Sequence, residues 1–213
     1  MNLWAKAVSR LAQVIDRSYG ALRSFQVFVR NVALLSSVVL VGLVLAGFVR
    51  GPTILSKYAD TYVRLPDGSS APRDPRDPVH TGIDIQGRYG QPVIALSDGI
   101  VVLAGHVDEV CGIRVVIDHG SVDAARFYTG YCHLSVSALA TGQRVKRGEV
   151  VGYIGRSGLW GPHEHVHFDL QRVVPEKDVR WSFIDPEPLV IGCFDSGRTY
   201  PQERLALTWP VKC

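Results

Sequence analysis

Three of the chain's seven histidines, His163, His165 and His167, occupy alternate positions in the stretch GPHEHVHFDL. On a β-strand, residues i, i+2 and i+4 share a face, so this spacing points three imidazoles the same way. Imidazole is the commonest metal ligand and the side chain best poised for proton transfer near neutral pH. A row of three is poor core material and good material for a site. The same letters also fit H-E-x-x-H, which on a helix sets two ligands one turn apart with Glu164 as general base. That motif needs several helical turns. Gly158, Gly161 and Pro162 lie just upstream, and residues 166–170 alternate with period two before Pro175, so the stretch reads as a strand.

Two further segments offer ligands. His80-Thr81-Gly82-Ile83-Asp84 presents an imidazole and a carboxylate four residues apart, with a glycine between them that lets the backbone bend. Tyr131-Cys132-His133-Leu134 places a histidine in another β-like run. A catalytic zinc takes three protein ligands from His, Asp, Glu or Cys and keeps one position open. His80, Asp84 and one histidine of the 163–167 row meet that count. Each segment alone is commonplace; their order, His…Asp…His…His-x-His, is specific. His119, before an expected turn, and His106, in an expected loop, read as structural or exposed.

The elements that must position these residues are short. From His80 to about Leu170 the chain runs as GIDIQG, PVIALSDGIVVLAG, GIRVVIDHG, RFYTGYCHLS, GQRVKRGEVVGYIGRSG and HVHFDL. Runs of this length with turn signals between them predict an all-β domain of antiparallel strands, its one helical candidate a turn around Ser135 to Ala140. Residues 50–79 include LPDGSSAPRDPRDPV and read as a linker or entry loop with little core-forming material. Residues 172–213 read as an irregular C-terminal extension. All four cysteines, Cys111, Cys132, Cys193 and Cys213, fall in the second half of the chain, an even count that suggests disulfides in an exported domain. Cys111 and Cys132 lie on the expected arms of a hairpin turning near residues 120–123. Their pairing would leave Cys193 and Cys213 to tie down the tail. No pair has the C-x-x-C spacing of a cysteine metal site.

Residues 31–49 are uncharged and mostly Leu, Val and Ala, about long enough to cross a hydrocarbon core of ~30 Å. Lys6, Arg10, Arg17, Arg23 and Arg30 precede them against one acid, Asp16. This bias predicts a single membrane span with a basic cytoplasmic segment, 1–30, and the remainder exported. A cleaved signal peptide is the rival reading, with Val44-Leu45-Ala46 as the cleavage site. The net charge of +3 divides into +4 for residues 1–30 and −1 for the rest, so the exported part has no basic patch suited to nucleic acid.

Over residues 78–171 the chain resembles the lysostaphin-type (LytM-like) zinc metallopeptidases, which cut peptide stems or cross-links of bacterial cell walls. The resemblance rests on HTGIDI, PVIALSDGIVVLAG, YCHLS, GQRVKRGEVVGYIGRSG and GPHEHVHFDL. It implies a small open antiparallel β-sheet of the duplicated hybrid motif type over residues 80–171, with a groove above the metal. It also implies one zinc per chain, held by His80, Asp84 and the second histidine of an H-x-H, with the first histidine of that pair and His133 catalytic. The family reads G-P-H-x-H-F-E, whereas here Gly161-Pro162 precedes His163 and Phe168-Asp169 follows His167. Two registers compete, His163/His165 and His165/His167. The second matches the strand core, making His167 the ligand and His165 catalytic, with His163 an accessory residue or polar filler. The implied activity is a peptidoglycan endopeptidase, its bond unspecified and any envelope partner unidentified. The alternative is a cell-wall-binding or hydrolase-regulating module without turnover.

Overall fold

The computed structural model describes residues 30–31, 51–65, 67–159, 163–174, 182–201 and 203–213. The chain divides into two units at Arg50/Gly51, and the fold described is that of the second. The expected basic segment and span lie, apart from Arg30 and Asn31, outside the described residues. Among the described residues no helix is long and apolar enough to cross a membrane.

The described chain forms strands β1 (Ile54–Ser56), β2 (Tyr62–Arg64), β3 (Ser70–Pro72), β4 (Gly82–Gln86), β5 (Pro92–Ile94) and β6 (Gly99–Asp108). These continue into β7 (Gly112–Val122), β8 (Ala125–Ser137), β9 (Arg144–Val145), β10 (Val150–Ile154), β11 (His165–Val173) and β12 (Ser182–Ile184). Ten strands make one antiparallel sheet with the central order β1-β4-β11-β8-β7-β6-β9; β10 pairs with β5 and β8, and β12 with β11. Strands β2 and β3 pair only with each other. The all-β, antiparallel expectation for the domain thus holds.

Register decides what faces where. Along β11, Val166, Phe168 and Leu170 are fully buried in the core, opposite or beside Ile83 and Ile85 of β4 and Tyr131 of β8. The alternate residues His165, His167, Asp169 and Gln171 therefore share the other face. His167 stands opposite Asp84 on β4 and opposite Cys132 on β8. A slip of one residue would exchange the two sets and bury the imidazoles in the core, so the apolar alternation also fixes the site.

Four local expectations are corrected. Residues 50–79 are not merely a linker: β1 adds an edge to the main sheet beside β4, burying Leu55 and Ser56, and β2 and β3 form a hairpin. Its Pro/Asp/Arg richness conceals the short strand ILS, which needs only three residues to pair. The β7–β8 hairpin turns at Asp123 and Ala124, both at positive φ, rather than at 120–123. His106 lies inside β6, and the region proposed for a helical turn is the end of β8. Beyond Gly51, the helical element among the described residues is a single 3-10 turn, Glu187–Leu189.

The C-terminal residues pack back on the core. Leu207 and Val211 are buried, and Trp209 meets Phe168 edge-on with ring centroids 6.2 Å apart. Disulfides join Cys111 to Cys132 and Cys193 to Cys213.

Candidate metal and catalytic site

Three ligand atoms converge where β4 and β11 meet. His80 Nε2 lies 2.9 Å from Asp84 Oδ1 and 2.9 Å from His167 Nδ1, and His167 Nδ1 lies 3.1 Å from the same Asp84 oxygen. All three residues are buried. The ring of His80 is oriented from behind: its Nδ1–H donates to the Lys57 carbonyl at 2.8 Å and faces Ser56 Oγ at 3.1 Å. With the proton on Nδ1, Nε2 presents a lone pair to the cluster.

This donor set fits a metal ion. Ligands at ~2.0–2.1 Å around a tetrahedral zinc stand about 3.3–3.4 Å apart, a few tenths more than the distances observed. Two imidazoles and one carboxylate also form the His/Asp donor class that suits zinc. Burial works against a charge on Asp84. The surrounding imidazoles of His165, His167 and His80 more than offset it, holding the carboxyl well below the usual carboxylate range. Burial pushes the His167 imidazole down, which favours the neutral form that can offer a lone pair.

Two further imidazoles flank the cluster. His165 donates through Nδ1–H to the His163 carbonyl, just ahead of its strand, at 2.8 Å, and its Nε2 lies 3.5 Å from Asp84 Oδ1. His133 donates through Nδ1–H to the Ser157 carbonyl at 3.1 Å. Its ring meets that of His165 edge-on at 4.8 Å and that of His167 at 6.1 Å. Burial first, then the neighbouring His165 and His167, pushes the His133 imidazole down to about 3. It is therefore a neutral base in reach of the cluster at ordinary pH.

His133 reaches this position through a bulge. Between β7 and β8 the pairs Ile113↔Leu134 and Val115↔Tyr131 leave an extra residue on β8. Tyr131 and Leu134 are both core residues, and the bulge between them re-aims a side chain that simple alternation would send inward with Tyr131. His133 has φ of 61°, left-handed backbone that costs a non-glycine residue ~1–3 kcal/mol and tends to mark functional positions. The turn is held by the Cys111–Cys132 disulfide and by hydrogen bonds from His133 N to Cys111 O and from Gly155 N to His133 O.

The remaining residues singled out from the sequence lie apart from the cluster. His163 Nε2 is 2.7 Å from the Arg64 carbonyl, linking the strand entry to the β2–β3 hairpin. Glu164 accepts from Tyr89 N at 2.8 Å and pairs with Arg156, so it is engaged away from the metal ligands. Asp169 accepts from Arg114 Nη2 at 2.7 Å and from Gln171 Nε2 at 2.6 Å, with His167 Nε2 3.7 Å away. Cys132, His167 and Asp169 are close enough to form a second ligand group, but the Cys132 sulfur is bonded to Cys111. Gly82 has no positive φ; its importance lies in space, not bending, because the His167 ring packs over it.

A cavity of about 370 Å³ opens beside the histidines. His133, His165 and Leu159 line one side, and Val63, Leu65 and Ala71 of the hairpin region line the other. Sequence reasoning missed this second wall, and also missed Ser56 and Arg73, because no motif marks residues 50–79.

Residues 78–180 match peptidase family M23. An uncharacterized metalloprotease of Haemophilus influenzae is 37% identical over 92 residues, 43% of this chain and 18% of that protein. The peptidoglycan DD-endopeptidase ShyA of Vibrio cholerae is 38% identical over 87 residues, 40% of this chain and 19% of ShyA. The DD-carboxypeptidase/endopeptidase Mpg of Neisseria meningitidis is 40% identical over 88 residues, 41% of this chain and 19% of Mpg. The chain thus spans about a fifth of the length of these relatives. The matched stretch contains His80, Asp84, His133, His165 and His167.

Proposed function

We propose that the chain is a zinc-dependent endopeptidase acting on stem or cross-link peptides of peptidoglycan. The observation that carries this reading is the meeting of His80 Nε2, Asp84 Oδ1 and His167 Nδ1 within 3.1 Å of one another, with His165 and His133 alongside. Similarity to ShyA and Mpg supports the substrate class.

His80, Asp84 and His167 would hold zinc, which when bound supplies a Lewis acid for the scissile carbonyl and acidifies water. The protein's own groups do the rest. His165 and His133 each have Nδ1–H pinned to a backbone carbonyl, which leaves Nε2 as the proton acceptor, that of His165 3.5 Å from Asp84 Oδ1. One of these imidazoles takes the proton of the attacking water as its oxygen bonds to the carbonyl carbon. The C–N bond then breaks as the imidazolium returns that proton to the leaving amine. The bulge and the strained backbone at His133 hold its ring ready for this role. Glu164, tied to Arg156 and Tyr89, takes no part.

The reading extends to location. The uncharged stretch 31–49 behind five basic residues supports a single inner-membrane span with the M23 domain in the periplasm. Protease added to spheroplasts should then degrade the domain, and resistance there would reject the topology.

The test of activity uses the full-length chain in detergent. It should contain about one zinc per chain and release cleaved muropeptides from purified sacculi. Chelation should stop release and zinc restore it. Zinc binding together with sacculus binding but no cleavage would overturn the enzyme reading in favour of a cell-wall-binding module.

A further inference from the structure

We propose that Arg73 is a positioning residue of the metal centre, holding Asp84 to a single ligating oxygen and bracing His80 through Ser56. The inference rests on the metal-site reading above.

The two oxygens of Asp84 have different neighbours. Oδ1 faces His80, His167 and His165, whereas Oδ2 lies 3.5 Å from Nη1 of Arg73. A carboxylate whose second oxygen is engaged by a guanidinium presents only the first to a metal. The same Nη1 donates to Ser56 Oγ at 3.0 Å, and Ser56 Oγ lies 3.1 Å from Nδ1 of His80. One cation therefore stands behind two of the three ligands.

Arg73 is itself fixed. Its Nη2 pairs with the carboxylate of Asp77, its Nε donates to the Asp77 carbonyl at 3.2 Å, and its side chain is 11% exposed. Arg73 and Asp77 cancel in charge, so the pair braces Asp84 without adding net charge to the site. Ser56, Arg73 and Asp77 all precede residue 78, where the family match begins. The brace is thus built from the entry segment rather than from the matched domain.

The experiment loads the full-length chain with zinc or cobalt(II). In R73Q, zinc affinity measured by chelator competition should fall ~10–100-fold, the range typical when a partner of a metal ligand is lost. The cobalt(II) visible bands should weaken as Asp84 becomes free to bind through both oxygens. R73K keeps a charge behind Asp84 but not the fork, and should recover part of the affinity. D77N removes only the anchor and should give a smaller loss, which keeps the test decisive if R73Q does not fold. Folded R73Q and D77N with wild-type zinc affinity and an unchanged cobalt spectrum would overturn the proposal. A wild-type chain that binds neither metal would instead overturn the metal-site reading itself.

Discussion

The imidazole of His167 fills the space that a side chain at position 82 would enter: a β-carbon on Gly82 would stand 2.9 Å from both Cε1 and Nε2 of the ring, and closer still to the Phe168 carbonyl oxygen. The glycine of HTGID is therefore a steric requirement of the ligand on the neighbouring strand. G82A should force His167 away from His80 and Asp84. We expect a loss of ~1–3 kcal/mol in stability, the usual scale for overpacking, and a loss of bound zinc greater than the stability change explains. Thermal unfolding with and without zinc, together with metal analysis, checks this. An alanine variant that keeps full zinc would refute the steric account.

The two outer members of the histidine row should separate cleanly. His167 contributes a nitrogen to the cluster, whereas His163 contacts the Arg64 carbonyl. H167A should retain little zinc, and H163A should retain it fully. H163A should still loosen the β2–β3 hairpin, visible as faster amide exchange over residues 62–72. Zinc loss in H163A with retention in H167A would reverse the register.

Much of the site was readable because it depends on alternation. Once Val166, Phe168 and Leu170 are assigned to the core, His165, His167 and Asp169 must face the other way, and a partner strand can bring Asp84 opposite His167. The all-β class and the shared face of His165 and His167 follow from that period, whereas the ligand set is what the family resemblance implies. His133 was legible as a motif but not as geometry, since the bulge that aims it arises from pairing with β7, not from its neighbours in sequence. The β1 strand, Ser56 and Arg73 were illegible for a related reason. Their roles depend on contacts made 11 and 24 residues away along the chain, from Arg73 to Asp84 and from Ser56 to His80, within a segment whose composition signals loop.

His119 gives a pH prediction away from the site. Its Nδ1–H donates to the Asp98 carbonyl at 2.6 Å and its Nε2 lies 2.8 Å from Thr129 Oγ1. Burial pushes the imidazole down to about 4 from its ordinary 6.5, so the folded chain holds it neutral. The unfolded chain binds that proton first as pH falls below about 6.5. His119 therefore contributes stability that is fully present above pH 6.5 and drains away between about 6.5 and 4, by at most ~1.4 kcal/mol per pH unit. Denaturant unfolding of wild type and H119Q at pH 7.5, 6 and 5 should show a steeper decline in the wild type. Parallel declines would mean that His119 is already accessible to the proton in the folded chain.

The Cys111–Cys132 disulfide should matter twice, once for the fold and once for His133. It closes a loop with a sequence separation of 21, and removing such a cross-link costs about 3 kcal/mol in the chain-entropy account. It also flanks the strained backbone of His133, whose N–H donates to the Cys111 carbonyl at 2.9 Å. Without the link, that backbone can relax toward ordinary β geometry and take the imidazole out of line with His165. Of the three candidate ligands, His80 and Asp84 belong to the β4 region, and His167, opposite Cys132 on β8, is held by its ladders to β4 and β8 rather than by the sulfur link. C111A/C132A should therefore bind zinc as the wild type does at temperatures where it remains folded. Its turnover of peptidoglycan should fall at least tenfold, with kcat reduced more than KM, because a misaligned base weakens the chemical step rather than binding. Equal loss of zinc and turnover would assign the disulfide a general structural role, whereas unchanged kcat in the folded variant would show that the bulge holds His133 without it.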